Sequence, residues 1–202
     1  MEGTADGAIY VGDSRDITVE DNHATASTVG IEIENSTDIV IRGNRASGNT
    51  AGIAIFALPL LDIPVVEDIV VAKNVVTRNN LPNPFLPSDD VVGAIPTGSG
   101  ILALGVDRLA IADNQVIGND SAGIAIVANP AVAGDPRVDP FPDDVTVRSN
   151  VVRRNGLDPD NLRSPFPGAD LLYDGSGSDV CFSANNVGTE LPAGLTAAHP
   201  CD

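Results

Sequence analysis

The sequence predicts an all-β solenoid in which about six coils of 22 residues stack through short parallel strands. The first observation is a repeated unit that reads Gly-Ile-x-Ile, Asp-Ile-x-Ile, Asn, and a second Asn five positions later; residues 30–49 contain all of it. The second is the alternation of apolar and other residues with period two, which is typical of strands. The third is that β-branched residues dominate the alternate positions, which suits strands. One such pair of strands cannot bury its own apolar face, so the copies must stack.

Stacking in register predicts which side chains fill the interior. Copies of the unit recur along the chain, and a degenerate sixth copy includes Val180 and Phe182. Alignment of the copies gives four columns of inward residues: Ile9, Ile31, Ile53, Ile101 and Ile124; Ile17, Ile39, Ile69, Leu109 and Val145; Val19, Ile41, Val71, Ile111 and Val147; and Ala24, Ala46, Val76, Val116 and Val152.

The recurring asparagines and glycines are interpreted as structural. We expect the asparagines to turn the coil in left-handed backbone angles and to hydrogen-bond from coil to coil as a ladder. We expect the glycines to occupy corners. The residues concerned are Asn44, Asn74, Asn114 and Asn150, and Gly30, Gly52, Gly100 and Gly123.

Four proline-rich insertions interrupt the period. Residues 56–67 and 127–143 fall at one corner, between the first and second strands, and residues 80–99 and 157–169 fall at another, before the next coil. One interpretation is that they are stiff surface loops packed on the column. The other is that the first pair forms a lip beside the second-strand sheet and carries function, because repeat proteins place function on insertions.

Composition excludes several classes of partner. The 202 residues suit one domain, and 28 acidic against 11 basic residues give a formal net charge of -17. This charge repels nucleic acids and anionic membrane surfaces, so no nucleic-acid partner is expected. No apolar run approaches the ~20 residues of a membrane-spanning helix. No signal peptide is visible, and the repeat begins without a cap, so we expect a single domain over residues 1–202 that lacks N-terminal coils.

The two cysteines, Cys181 and Cys201, lie in the last copy and the tail. Cys181 stands between inward positions and therefore points outward, toward a tail (residues 186–202) that could cap the last coil. In an extracytoplasmic protein such a pair is predicted to form one disulfide, whereas in the cytosol it would be two free thiols. The register favours the disulfide.

The Gly-Ile-x-Ile…Ser-x-Asp-Ile-x-Ile-x-x-Asn units resemble those of right-handed parallel β-helix proteins of the pectin-lyase-like superfamily, especially the bacterial secreted or lipoprotein-type, NosD-like and sugar-hydrolase group. The resemblance covers nearly the whole chain and implies an extracytoplasmic location. The superfamily holds lyases, hydrolases, epimerases and adhesins, so the resemblance implies a fold more than an activity. The aspartate–histidine signature expected of alginate-type epimerases is absent.

One column of outward charges is a candidate substrate-binding site. Glu20, Arg42 and Arg148 fall in one column of the second-strand sheet. An arginine there could bind a carboxylate or stack on a sugar ring, and the spacing suits one extended ligand. Solvated surface charge is the alternative.

Paired aspartates in the loops are the candidate metal ligands. Asp89 and Asp90, and Asp143 and Asp144, could hold Ca²⁺, the one cofactor considered, and loop solvation is the alternative. No residues mark the close carboxylate pair that glycoside hydrolysis needs.

The sequence therefore leaves three functions open. The first is a secreted or envelope-associated protein that interacts with a polysaccharide and has no intact catalytic constellation. The second is a polysaccharide lyase or hydrolase with its site at the insertions. The third is a structural scaffold or partner-binding protein of the NosD-like kind. The sequence does not decide the oligomeric state.

Overall fold

The computed structural model describes residues 1–88 and 91–201, and it is an all-β solenoid of three parallel sheets, as predicted. Each turn of the chain adds one strand to each sheet, and the sheets enclose one apolar core. The first sheet contains β1 (Gly7–Gly12), β4 (Val29–Glu34), β7 (Ala51–Phe56), β10 (Ser99–Leu104), β13 (Ala122–Val127), β16 (Ala169–Tyr173) and β19 (Glu190–Leu191).

The second sheet is six-stranded and consists of β2 (Arg15–Glu20), β5 (Thr37–Arg42), β8 (Glu67–Ala72), β11 (Asp107–Ala112), β14 (Asp143–Arg148) and β17 (Ser178–Ser183). The third sheet is six-stranded and narrow, with β3 (His23–Thr25), β6 (Arg45–Ser47), β9 (Val75–Thr77), β12 (Gln115–Ile117), β15 (Val151–Arg153) and β18 (Asn186–Val187). The helical segments are short: α1 (Val91–Ala94), a 3₁₀ turn (Pro130–Val132) and α2 (Leu195–Ala198).

All four predicted columns of inward residues are confirmed. Ile31 pairs with Ile53, Ile39 with Ile69, and Ala46 with Val76, each as a register partner in adjacent strands. Side chains such as Ile41 and Val147 are completely buried. Register is strongly specified here because a slip of one residue would turn every isoleucine to solvent.

The predicted asparagine ladder is confirmed, but its backbone angles were predicted wrongly. Asn44 Nδ2 donates to the Oδ1 of Asn74 at 3.0 Å and to the carbonyl of Val19 at 2.9 Å, and the pattern repeats down the column. The left-handed angle belongs to the residue before each asparagine, for example Gly43 before Asn44 and Lys73 before Asn74. The asparagine itself stays free to aim its amide along the stack. Its role is hydrogen bonding rather than turning.

A second ladder of asparagines runs beside the first and ends on an acid. Asn119 Nδ2 donates to the Oδ1 of Asn155 at 2.9 Å, and Asn155 Nδ2 donates to Oδ1 of Asp170 at 2.9 Å. The other oxygen of Asp170 accepts from the backbone N–H groups of Gly188 and Thr189. Asp170 is 2% exposed, and these donors satisfy its carboxylate inside the protein. The ladder thus ends on backbone donors of the C-terminal segment.

The predicted corner role of the repeated glycines is wrong. Gly52 lies inside β7, and Gly100 lies inside β10; neither has a positive φ. A Cβ on Gly52 would stand 2.7 Å from the carbonyl oxygen of Gly100 and 2.9 Å from Nδ2 of Asn79. Glycine is required because adjacent coils and the second ladder approach this point too closely for a side chain.

The C-terminal segment covers the last coil. Leu195 of α2 is completely buried in the solenoid core, and the N–H of Phe182 donates to the carbonyl of His199 at 2.8 Å. The predicted disulfide between Cys181 and Cys201 is present, with Cα atoms 4.9 Å apart. Closing a loop of this length stabilises the fold by about 3 kcal/mol in the chain-entropy model.

The insertions pack on the outer face of the first sheet and build a second apolar cluster there. Phe56, the first residue of the first insertion, is completely buried, and Val92 and Ile95 of the third-to-first-sheet insertion cover the same face. Val66 and Val132, one from each insertion of the first pair, are buried in the solenoid core, so this pair packs on the column, and its functional role as a lip stays a prediction. The first sheet is covered, and the second sheet keeps its outer face accessible, with Val70 at 39% exposure.

Insertions at one corner also contact each other across a coil. The N–H of Leu60 donates to Oδ2 of Asp135, and Arg137 Nη1 donates to the carbonyl of Leu61. At the other corner, Arg163 donates to the carbonyls of Gly93 and Phe85. Each pair of insertions is thus held as one unit above the solenoid.

Candidate functional site

The predicted charge column lies on the outer face of the second sheet, which stays open to solvent. We call this surface the second-sheet face and define it by its outward side chains: Thr18, Glu20, Val40, Arg42, Val70, Ala72, Ala110, Ala112, Thr146 and Arg148. Its centre has the small side chains Val70, Ala72, Ala110 and Ala112, and the exposed Asp68–Arg108 ion pair lies beside them near the start of β8 and β11. The surface is therefore a smooth track that runs along the stacking direction.

The predicted column of Glu20, Arg42 and Arg148 is confirmed as a register of the second sheet, and its role in substrate binding stays a prediction. Register partners link Glu20 to Arg42 and then, through Ala72 and Ala112, to Arg148. Three strand steps of ~4.8 Å separate Arg42 from Arg148, or roughly 14 Å. One extended ligand could contact both arginines, and one small group could not.

The two arginines differ in availability. Arg42 Nε donates to Oε2 of Glu20 at 2.7 Å, and its Nη2 lies 2.5 Å from the same oxygen. Arg148 is exposed and takes part in no ion pair among residues 1–88 and 91–201. Arg148 therefore keeps its donors for a ligand, whereas Arg42 already shares its charge with Glu20.

Of the two pairs predicted as calcium ligands, only Asp143 and Asp144 lie in the described residues. Oδ1 of Asp143 accepts from the N–H and the hydroxyl of Ser178, and Asp144 lies exposed with a φ of 55°. Asp89 and Asp90 lie outside the described residues. Across the part of the chain that is described, no three His, Cys, Asp or Glu side chains are grouped as a metal site. Asp143 thus acts in the structure as a strand-to-strand acceptor.

An acidic group that sequence reasoning missed lies beside Asp143. Asp107 Oδ1 accepts from the N–H of Asp143 at 3.1 Å. The pKa of Asp107 is raised to about 6, chiefly by burial and also by the charges of Asp143 and Asp139, while the N–H bond of Asp143 opposes the increase. Next to it, Arg108 replaces the aspartate found at this position in most coils and binds Asp68 and Glu67 at 2.8 Å and 2.7 Å. Its hydrogen bond holds the pKa of Asp68 low.

A second missed group lies at the N-terminal end of the first sheet. The hydroxyl of Tyr10 donates to Oε1 of Glu34 at 3.0 Å, and Glu32 is buried two residues earlier on the same face. Burial raises the pKa of Glu34, and Asp6 and Asp13 add to this, while the tyrosine bond opposes it. Burial and the Glu34 bond together raise the pKa of Tyr10 well above its usual value. The signal in the sequence was the pair Glu32 and Glu34 at outward positions, where the next coil holds the apolar residues Ala54 and Phe56.

A groove opens farther along the same outer face. It has a volume of about 430 Å³, a floor of Leu102, Ala125 and Leu172, and walls from three of the insertions. Its lining is mostly aliphatic. The groove is not part of the second-sheet face, and sequence reasoning did not identify it because residues far apart in the chain build it.

Comparison with known proteins supports the fold. Residues 1–82 match a family model described as right handed beta helix region. The structure is similar to that of a double mutant of the periplasmic alginate epimerase AlgG, with a TM-score of 0.60 and 13% sequence identity. The match covers 94% of this chain and 38% of that enzyme, so the chain spans well under half of its length. No curated protein matches the chain. The predicted right-handed parallel β-helix is confirmed, while similarity at this identity carries no activity with it.

Proposed function

We propose that this right-handed parallel β-helix is an extracytoplasmic protein that binds a linear polysaccharide along the second-sheet face without cleaving it. The observation that carries the proposal is the smooth track between Arg42 and Arg148, with Arg148 unpaired among the described residues. A chain of sugars is an extended, repeating ligand, and a surface of stacked strands is an extended, repeating receptor. The fold shared with a periplasmic enzyme of alginate supports the ligand class.

The location outside the cytoplasm rests on separate support. The Cys181–Cys201 disulfide suits an oxidising compartment. The structurally similar epimerase is periplasmic. None of the helices in the described residues has the length and apolarity that a membrane crossing requires.

The proposal also fits the charge of the protein. A net charge of -17 opposes binding of a highly charged polyanion. A neutral or sparsely charged polysaccharide meets less repulsion, and a hydroxyl of such a chain can accept a hydrogen bond from the Arg148 guanidinium. We therefore expect tighter binding to neutral than to densely anionic polysaccharides. We also expect the affinity to be weak, because the face offers one exposed arginine and otherwise small side chains.

Arg148→Ala is the variant that tests this site. Loss of a charge-assisted hydrogen bond costs about 1.5–3 kcal/mol, which corresponds to roughly tenfold or more in the dissociation constant measured by calorimetry. Arg42→Ala should have a smaller effect, because Glu20 already occupies that guanidinium.

Arg45→Ala is the matched control, since it removes the same charge from the exposed third sheet. Equal losses in the Arg148 and Arg45 variants would indicate only a general effect of charge and would overturn the site. Unchanged affinity in the Arg148 variant would do the same.

The Tyr10–Glu34 pair favours a second candidate, glycan cleavage at the first sheet. A carboxyl whose pKa is raised by burial suits a general acid, and Glu32 would be the second carboxylate on that face. Release of new reducing or unsaturated ends from a polysaccharide would favour this candidate over binding alone.

A further inference from the structure

The groove on the outer face of the first sheet is a preformed apolar cavity. Its floor consists of outward side chains of β10, β13 and β16, and α1 contributes Val91 and Ala94 to its wall. A volume of about 430 Å³ lies within the range of small-molecule sites. It is separate from the second-sheet face, so an inference about it does not depend on the proposed polysaccharide site.

The hydroxyl and amide groups that line the groove are already used inside the protein. Ser99 Oγ donates to Pro96, Ser121 Oγ donates to Thr97, and Ser164 Oγ donates to Phe166, each to a backbone carbonyl. Asn129 donates to the carbonyl of Ala57 and accepts from the N–H of Ala131. A sugar or a peptide backbone placed here would lose its water without gaining hydrogen-bond partners, which disfavours such a ligand.

The charged groups of the lining leave one net negative charge. Arg163 is neutralised by Asp160, at 2.9 Å, and its other donors bind backbone carbonyls. Asp174 accepts from the N–H of Ala128 and from Ser176, and it has no ion-pair partner in the described part of the chain. The lining therefore combines a hydrocarbon floor with one carboxylate.

We propose that this groove binds the hydrocarbon portion of a cationic amphiphile, with the cationic head toward Asp174. Burial of a hydrocarbon chain against the aliphatic floor favours binding. The carboxylate of Asp174 and the overall charge of -17 favour a positive head and repel a fatty-acid carboxylate. Charge complementarity thus favours a cationic head, and a lining whose polar groups are already hydrogen-bonded favours a hydrocarbon tail.

The test compares two ligands of equal chain length and opposite charge, dodecyltrimethylammonium and dodecanoate, each below its micelle-forming concentration. Calorimetry on the full chain is expected to show saturable binding of the cation at least tenfold tighter than of the anion. Equal affinities, or no binding of the cation, would overturn the proposal.

Two variants separate the groove from general attraction to an acidic protein. Ala125→Phe fills the floor and is expected to abolish binding of the cation, whereas Ala110→Phe makes the same change on the second-sheet face and should leave binding intact. Asp174→Asn should reduce the preference for the cation over the anion, because the asparagine oxygen can still accept from Ala128. Cation binding that survives in a folded Ala125→Phe variant would contradict the proposal. If that variant does not fold, an unchanged head preference in Asp174→Asn would contradict it instead.

Discussion

Ile41→Asp is expected to unfold the solenoid. Ile41 is completely buried between Val19 and Val71 in one inward column of the second sheet. The substitution removes a buried aliphatic side chain, which alone costs about 2–5 kcal/mol, and places an unpaired carboxylate in the core. The sum is comparable to the whole stability of a typical domain. Circular dichroism during thermal unfolding is expected to show loss of the cooperative transition.

Val40→Asp is the control for this prediction. Val40 is the preceding residue of the same strand and points outward onto the second-sheet face. Because alternate residues face opposite sides, the same substitution there should change the free energy of unfolding by less than about 1 kcal/mol. Similar melting temperatures for the two variants would contradict the inward register.

Asn74→Ala is the second prediction with a large effect. The Nδ2 of Asn74 donates to the carbonyl of Ile41 and to Oδ1 of Asn114, and its Oδ1 accepts two bonds from Asn44. All three asparagines are 1% exposed. Removing the amide leaves several buried groups without partners, at about 1–3 kcal/mol for each. We expect a loss of about 3–5 kcal/mol in the free energy of unfolding, measured by denaturant titration.

Asn22→Ala tests whether burial of the ladder causes this loss. Asn22 is the exposed end of the same ladder and bonds to Asn44 at 3.1 Å, so water can replace its partners. Its substitution should cost about 1 kcal/mol or less. Equal losses of unfolding free energy in the Asn74→Ala and Asn22→Ala variants would contradict the role of buried hydrogen bonds in the ladder.

The repeat predicted the interior because each isoleucine position recurs with the same alternation, and one copy fixes the register of the next. The pattern did not reveal which residue at each corner takes the left-handed angle, because the asparagine recurs with the period while the residue before it changes, as Gly43 and Lys73 show. Gly52 was misplaced for a related reason. Glycine is required there because the carbonyl of Gly100 in the next coil lies too close for a side chain, and the sequence of one repeat does not show this distance between coils.

The candidate sites were less predictable than the fold. The Glu20–Arg42–Arg148 column followed from the period, but the ion pair that occupies Arg42 depends on side-chain conformation. The groove is built by insertions whose lengths differ and whose contacts, such as Arg163 to Phe85, join residues far apart in the chain. Long-range packing of this kind leaves no periodic signal in the sequence.

The central claim is that the protein binds a polysaccharide without cleaving it. The most direct test is to incubate the purified chain with a panel of neutral and uronate-containing polysaccharides, with and without calcium, while measuring both retention and release of reducing or unsaturated ends. We expect retention on at least one polysaccharide and no release of ends. Release of ends would contradict the non-catalytic claim and direct attention to Tyr10 and Glu34, and no retention on any polysaccharide would contradict the ligand class.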